Sequence, residues 1–343
     1  MLDIHVLYNP TNPQFMRPHG TQLSGEATLH VCTVVSNPVR YASRYKLFEA
    51  FKSQTEGQHV KLWTVEMAYG NRPFVVTEQD NDYHLQLRTP YEIWHKENAL
   101  NLLMNHICSE YPDAEYFAWV DADITFVRSD WAYETIQVLQ HYDFVQMFSH
   151  AQDVGPKFEP IGSPHVGFLY AYCNDLPNQA KSTRYVPYGY GADFAHPGYA
   201  WAARRSALDK TGGLLDVCIL GSADHNMAMG LVDQMERSID QRLGEPYKEQ
   251  MRIWGDRCVK HIKRNVGYVP GMIMHHWHGR KADRQYRDRG KILVENNYNP
   301  HYDLKRDTQG LYQLTERSTK LRDDIRSYFR ARNEDSIDYA ESN

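Results

Sequence analysis

The stretch Tyr116–Phe126 reads YFAWVDADITF and decides the fold. Its apolar and aromatic residues predict a buried β-strand, which ends on two carboxylates separated by one residue, Asp121 and Asp123. In an open α/β sheet, ligands collect beyond the carboxyl ends of the strands. Two carboxylates at such an end repel each other unless a cation neutralises them, and Mg²⁺ or Mn²⁺ beside phosphate oxygens does so. The pair therefore indicates a metal site, and the alternative is a strand followed by an ordinary acidic turn.

The chain before this stretch predicts an α/β sheet. Leu29–Val35 and Val60–Glu66 are apolar runs typical of strands, and an amphipathic helix is predicted between them, from Pro38 to about Gln54. A strand, a helix and a strand with short joints indicate a parallel, right-handed crossover. We therefore expect an α/β fold that begins as a nucleotide-binding sheet.

Composition limits the class of protein. The chain has 42% hydrophobic and 24% charged residues, as ordinary soluble proteins do. Because no run approaches the eighteen or so apolar residues of a membrane span, we expect no membrane-spanning segment. Five scattered cysteines without a Cys-x-x-Cys spacing predict reduced thiols in a cytoplasmic setting.

Charge is unevenly distributed along the chain. The net charge of -5 gives no support to binding of a polyanion over the whole surface. Residues 252–292 nevertheless hold eleven Lys and Arg against three Asp, a local excess of eight positive charges. This basic segment suits a diphosphate group, and it could also guide a DNA backbone.

Several motifs resemble the GT-A glycosyltransferases, whose Asp-x-Asp carboxylates hold a metal against the diphosphate of a nucleotide sugar. The resemblance runs from about Thr28 to about Gly310. Its most specific segments are Trp94–Asn98 (WHKEN), Trp119–Asp123 (WVDAD), Gly198–Ala202 (GYAWA), Gly221–Asp224 (GSAD) and His276–Gly279 (HWHG). Within that superfamily, the chain resembles viral and phage enzymes that glucosylate hydroxymethylated pyrimidines in DNA.

The resemblance implies a GT-A fold, which is a Rossmann-like mixed sheet flanked by helices. It divides the chain into an extended N-terminal arm (residues 1–27), a GT-A domain (residues 28–310), and a C-terminal helix with a mobile tail (residues 311–343). The long segment Asn174–Pro197 is rich in Pro, Gly and Tyr and lacks a clear period, which predicts an acceptor-side loop or lid.

A histidine is expected to complete the metal site, as one does in many GT-A enzymes. Strand alternation places His276 and His278 on one face and His275 on the other. The resemblance thus implies Mn²⁺ or Mg²⁺ held by Asp121, Asp123 and His278, with His276 as the alternative histidine. A satisfied core histidine is the structural alternative for each of them.

Asp224 is the predicted catalytic base. It follows the small residues of Gly221–Asp224 and precedes a predicted helix from Asn226 to about Arg242. In inverting members of the superfamily, an acid at this motif takes the proton from the acceptor hydroxyl. The alternatives are an acid that caps the helix or, in a retaining enzyme, a residue that binds donor-sugar hydroxyls.

The remaining predicted residues bind the donor, a UDP-sugar with glucose as the expected hexose. Some lie near strand ends, one begins a helix, one is a glycine that lets backbone approach the sugar, and three are cations of the basic segment. For Asn37 the alternative is a helix cap, and for Arg44 and Lys96 it is a solvated surface position. The set is Asn37, Arg44, Tyr69, Lys96, Asp121, Gly198, Arg280, Lys281 and Arg284.

The predicted reaction is transfer of a hexose from the UDP-sugar to a hydroxyl group, with inversion at the sugar. DNA that carries 5-hydroxymethylpyrimidine competes with a saccharide or a protein as the acceptor. The alternatives are a degenerate module that binds a nucleotide or glycan without chemistry, and a metal-dependent phosphohydrolase. The joint presence of a metal motif and a base argues against the binding module.

Overall fold

The computed structural model describes residues 27–56, 60–181, 194–286 and 288–337. All but the last residue of the predicted N-terminal arm lies outside these ranges. The strands are β1 (Leu29–Ser36), β2 (Val60–Tyr69), β3 (His84–Thr89), β4 (Tyr116–Val120), β5 (Ile124–Phe126), β6 (Phe144–Gln146), β7 (His150–Val154), β8 (Pro160–Val166), β9 (Ala200–Arg204), β10 (Val266–Tyr268), β11 (Met272–His275), β12 (Leu304–Arg306) and β13 (Tyr312–Leu314). The helices are α1 (Ala42–Thr55), α2 (Lys96–Glu110), α3 (Trp131–Leu139), α4 (Phe168–Cys173), α5 (Arg205–Thr211), α6 (Ala223–Leu231), α7 (Glu245–Arg257), α8 (Gly290–Glu295), α9 (Pro300–Asp303) and α10 (Thr319–Ala331).

A seven-stranded sheet in the order β10-β6-β9-β4-β1-β2-β3 forms the centre of the fold. Its strands are parallel except β9, which runs antiparallel between β4 and β6. Strand β4 is buried along its whole length, because both faces of the sheet are covered. The expected α/β fold is confirmed in this form, a mixed sheet flanked by helices.

The two faces of the central sheet pack into two separate cores. Phe117 and Trp119 of β4 lie in one hydrophobic cluster, while Tyr116, Ala118 and Val120 lie in the other. Successive side chains of a strand point to opposite faces. This arrangement explains why the stretch is apolar at every position rather than at alternate ones.

A second sheet, in the order β5-β11-β7-β8, brings distant parts of the chain to the end of β4. Strand β5 follows the Asp-x-Asp directly and pairs antiparallel with β11, so that Ile124 lies opposite His275. Strand β11 pairs parallel with β7, and here His275 lies beside Asp153. Because Ile124 directly follows Asp123, this pairing brings His275 and Asp153 close to Asp123.

Some predicted elements differ from the structure. The run Val266–Gly279 forms two strands of different sheets, β10 and β11, because the chain bends at Pro270-Gly271. The predicted strand Val166–Tyr172 is mostly helix α4, since a short apolar run suits either a buried strand or a buried helix. The helix predicted from Asn226 to about Arg242 is the shorter α6.

The C-terminal part of the chain packs on the rest. Strands β12 and β13 pair across the predicted boundary at residues 310 and 311. After α10, the Asp335 carboxylate accepts hydrogen bonds of 2.8 Å from the backbone N–H groups of Ala42 and Ser43 at the start of α1. Residues 333–335 of the predicted mobile tail thus contact Tyr41 and α1, while residues 338–343 lie outside the described ranges.

Two composition-based expectations concern the whole chain. Within the described ranges, no helix is long and apolar enough to cross a membrane. All five cysteines lie in these ranges and are free thiols.

Candidate functional site

A cavity of about 550 Å³ opens at the carboxyl edge of the central sheet. The ends of β1 and β4, the start of α2 and the loop before β9 line it. Because β9 is antiparallel, its beginning lies at the same edge as the ends of its neighbours. The β7–β8 hairpin, the residues after β11, the start of α6 and the end of α10 supply the remaining walls.

Asp123, His275 and His278 form a candidate metal centre in this cavity. One ligand atom from each residue lies within 4.8 Å of the others. His278 Nε2 is 3.1 Å from Asp123 Oδ2, and both histidines are buried. Two imidazoles and a carboxylate are a donor set that divalent transition metals favour.

The hydrogen bonds around this cluster fit a bound cation. Asp123 Oδ1 is buried and has no hydrogen-bond partner among the described residues. The Nδ1 atom of His275 lies 2.6 Å from Asp153 Oδ1, and Nδ1 of His278 lies 2.8 Å from the His276 carbonyl oxygen. Partners of this kind fix metal-binding histidines and leave Nε2 for the metal.

Burial and charge set the protonation of the cluster. Burial by itself would raise the pKa of the Asp123 carboxyl. The two imidazoles and the Arg284 guanidinium have a larger, opposite effect, so the pKa falls to about 2. Burial, with the charge of Arg284, holds the pKa of His278 well below its usual value. A carboxylate and a neutral imidazole are the forms that bind a metal.

The histidine faces differ from the prediction. Strand β11 ends at His275, so the period of two stops there, and residues 276–278 have no regular secondary structure. His275 and His278 both reach the cavity, whereas His276 Nε2 lies 2.7 Å from the Thr125 hydroxyl, and its ring contacts Phe158 edge-on. The structure therefore brings His275 rather than His276 to Asp123.

Asp121 has a different partner from Asp123. Its carboxylate forms an ion pair with Lys96, the first residue of α2, and it lies outside the three-residue metal cluster. Its backbone N–H donates to the Tyr199 carbonyl at 2.8 Å, which ties the Asp-x-Asp to the loop before β9. Both Asp121 and Lys96 line the cavity.

Asp224 lines the cavity at the start of α6. Its Oδ1 accepts a hydrogen bond of 2.8 Å from the His225 backbone N–H. A Cβ atom added to Gly198 would lie only 2.8 Å from Asp224 Oδ2. Gly198 thus leaves the space that this carboxylate occupies.

The predicted donor residues near β1 and β2 have partners within the protein. Arg44 lines the cavity, but its guanidinium donates to Glu334 at 2.5 and 2.8 Å and to the Ser36 carbonyl at 2.8 Å. The Asn37 side chain donates a hydrogen bond to the Tyr41 carbonyl oxygen and accepts one from the Tyr41 backbone N–H. Tyr69 is bonded to the Ser36 hydroxyl at 2.7 Å. Asn37 and Tyr69 lie behind the cavity wall rather than on it.

Several cations of the basic segment 252–292 pair with acids. Arg280 pairs with Asp283 and lies off the cavity wall, whereas Lys281 pairs with Asp153 on that wall. Arg284 also lines the cavity. Surface pairs join Arg252 to Glu236 and Glu245, and Arg264 to Asp233. Acids from elsewhere in the fold therefore neutralise much of the charge excess seen in the sequence.

Several cavity residues were missed by the sequence analysis. Asp153 and His275 meet only through the register of the second sheet. Arg332 was assigned to a terminal helix, although it reaches the cavity from the end of α10. Glu97 lies in the WHKEN motif, and its pKa is raised to about 7, since burial outweighs the opposing charge of Lys96. Its position next to Lys96 in the sequence was the one feature that could have marked Glu97 as a cavity residue.

The predicted acceptor-side loop is described only in part. Its residues 182–193, which include all three of its tyrosines, lie outside the described ranges. Phe194 and His196 line the cavity, and the His196 ring stacks on that of Tyr199 at 3.8 Å between centroids.

Comparisons with known proteins give a remote structural likeness. No protein-family model and no curated protein matches the chain. Solved structures do match it, among them a crystal structure of a glycosyltransferase involved in the glycosylation of the major capsid of PBCV-1. That match has 8% sequence identity and a TM-score of 0.30, and it covers 72% of this chain and 93% of the other. We draw nothing about function from so remote a likeness.

Proposed function

We propose that the chain is a metal-dependent glycosyltransferase. It takes a hexose, with glucose expected, from a UDP-sugar and transfers it to a hydroxyl group with inversion. The observation that carries the proposal is the cluster of Asp123, His275 and His278 at the carboxyl edge of the sheet. It lies in a cavity that cations and Asp224 also line, and this combination suits cleavage of a sugar–diphosphate bond.

Asp123, His275 and His278 would hold the cation. When bound, a divalent cation supplies positive charge that offsets the charge on the diphosphate as the glycosidic bond breaks. Two imidazole ligands favour Mn²⁺ over Mg²⁺, because Mg²⁺ prefers oxygen ligands and retains several waters. Asp121 is not part of this set of ligands. Its negative charge is offset by the ion pair with Lys96.

The other cavity residues bind the donor or transfer a proton. Asp224 accepts the proton of the acceptor hydroxyl, which then attacks the sugar carbon from the face opposite the diphosphate. Lys96 offsets the charge of Asp121 and can donate to oxygens of the sugar or phosphate. Lys281 and Arg284 carry positive charge at the diphosphate side.

Gly198→Ala tests the position of the base. We expect the added methyl group to displace the Asp224 carboxylate, since it would also meet His196 Cε1 at 3.0 Å. A misplacement of about 1 Å can cost roughly a hundredfold in rate. The turnover number should therefore fall about a hundredfold at unchanged melting temperature, as measured by UDP release and thermal unfolding.

Gly290→Ala is the matched control for this variant. Gly290 begins α8, and an added Cβ has no atom within 4 Å, so its turnover number should equal that of the wild type. Equal turnover of Gly198→Ala and Gly290→Ala would contradict a role for Asp224 next to Gly198.

The acceptor is part of the proposal and is open to direct test. DNA with 5-hydroxymethylpyrimidine, saccharides and proteins all carry suitable hydroxyl groups. The ion pairs of the basic segment leave less free charge to guide DNA than the sequence suggested. The acceptor must therefore be found by product mass rather than by surface charge.

The test uses a panel of UDP-hexoses with hydroxymethylcytosine DNA, hydroxymethyluracil DNA and simple sugars. We expect UDP release and a product heavier by one hexose in Mn²⁺, with both lost in EDTA. An unchanged rate in EDTA would contradict the metal-dependent reaction. UDP-sugar binding without UDP release under any condition would favour the binding module.

A further inference from the structure

Two buried arginines have N–H groups for which the described residues offer no acceptor. Arg284 is 6% exposed and Arg332 is 5% exposed, and both line the cavity. Within the described ranges, Arg284 Nε and Arg332 Nη1 are buried without a hydrogen-bond partner. A buried guanidinium is costly unless its donors are satisfied, so these groups indicate an anion that binds there.

The remaining contacts of Arg284 hold it next to the metal cluster. Its Nη1 donates to the Tyr286 hydroxyl at 2.8 Å and its Nη2 to the His278 carbonyl at 3.3 Å. Both of these acceptors are formally neutral. Since His278 is also 3.1 Å from Asp123, an anion bound by Arg284 would lie close to the metal ligands.

Arg332 is held from two sides. Its Nε lies 2.6 Å from Glu334 Oε1, and its guanidinium lies 5.3 Å over the centroid of the Trp94 ring. The ring restricts the guanidinium through a cation–π contact. Arg332 is thus a fixed positive group on the cavity wall.

One carboxylate, that of Glu334, pairs with two guanidiniums. Arg44 donates to it at 2.5 and 2.8 Å, and Arg332 forms the ion pair described above. Burial by itself would raise the pKa of Glu334. The charges of Arg44 and Arg332, with a contribution from Arg284, have a larger, opposite effect, so the pKa falls to about 2. Each nitrogen of Arg44 donates to Glu334 or Ser36, whereas Arg284 and Arg332 each have a nitrogen without an acceptor among the described residues.

We propose that Arg284 and Arg332 form an anion subsite for the diphosphate group of the donor. Arg332, which directly follows α10, is then part of the donor site. This inference rests on the proposed function, because a diphosphate is the anion that a UDP-sugar carries. A guanidinium binds phosphoryl oxygens through two parallel N–H bonds, and one diphosphate could contact both the subsite and the metal ligands.

Binding of inorganic pyrophosphate to the full chain in EDTA tests the subsite without metal or sugar. We expect the wild type to bind pyrophosphate in titration calorimetry. Arg332→Gln should weaken this binding by at least about tenfold, since a hydrogen bond to a charged group is worth roughly 1.5–3 kcal/mol. Arg330→Gln should leave it unchanged, because Arg330 is on the same helix but pairs with Glu92 outside the cavity.

A second variant covers the case in which Arg332→Gln does not fold. Arg332→Lys keeps the charge beside Glu334 but removes the planar donor group, and it should also bind pyrophosphate more weakly than the wild type. Wild-type affinity in either folded variant, or no binding by the wild type, would overturn the subsite.

Competition identifies the source of the anion. UDP should displace pyrophosphate from the wild type. Displacement by a single-stranded oligonucleotide but not by UDP would assign the subsite to an acceptor and overturn the donor assignment. These measurements do not depend on turnover, so a chain that binds pyrophosphate through Arg332 yet transfers no sugar would refute the proposed function and leave the anion subsite standing.

Discussion

Asp123→Asn should lower UDP-sugar turnover by about a thousandfold. Asp123 is the only carboxylate of the three-residue metal cluster in the described part of the chain, and its Oδ1 has no other hydrogen-bond partner there. A cation at a diphosphate is worth several kcal/mol in the transition state, and each 1.4 kcal/mol or so is a factor of ten in rate. The measurement is initial UDP release at saturating Mn²⁺.

Asp113→Asn is the matched control for this prediction. Asp113 is exposed and lies just before β4, so the same chemical change should have no effect on turnover there. Circular dichroism and the melting temperature should show that Asp123→Asn folds. Turnover within a few-fold of the wild type in folded Asp123→Asn would refute the role of the metal cluster.

His275→Gln should weaken Mn²⁺ binding by at least about a hundredfold. Loss of an outer-shell partner alone costs roughly 10–100-fold in metal affinity, and loss of a ligand should cost at least the upper part of that range. A glutamine amide can still donate to Asp153, the present partner of His275, so the fold should survive. Titration calorimetry with Mn²⁺ gives the affinity.

The neighbouring histidine provides the control for His275→Gln. His276→Gln removes an imidazole that faces Thr125 outside the cavity, and Mn²⁺ should bind to it as to the wild type. The reverse result, with His276→Gln weakened and His275→Gln unaffected, would restore the faces expected from simple strand alternation and contradict the described cluster.

The fold could be predicted where local pattern determines it. Tyr116–Val120 is apolar at every position because both faces of β4 are covered, and that pattern is visible in the sequence. The parallel pairing of β1 and β2 follows from the short crossover between them. Helix α4 was missed because a short apolar run carries no period that separates a strand from a helix.

The candidate site could be predicted only in part, because its geometry depends on contacts between distant segments. Asp123 and Asp224 were identified from their motifs. His275 and Asp153 meet through a register in which both lie in one row with Ile124, and no local pattern shows that register. The end of β11 at His275 cannot be read from the HHWH run, so strand alternation was carried too far.

The arginines show the same limit for electrostatics. A count of charges marked the segment 252–292 as basic, but the acids that neutralise it, such as Asp153 and Asp233, come from other elements. Arg332 lies outside that segment and reaches the cavity because the end of α10 packs beside Trp94. Local charge excess therefore includes Arg284, but it shows neither Arg332 nor the acids that pair with other cations of the segment.

A crystal soaked with MnCl₂ and UDP tests the central claim most directly, by anomalous diffraction at the manganese edge. We predict one strong peak about 2.0–2.3 Å from an Asp123 carboxylate oxygen and from the Nε2 atoms of His275 and His278, with the diphosphate of UDP beside it. A peak elsewhere, or ordered UDP in the cavity with no manganese at these three residues, would contradict the proposed metal centre.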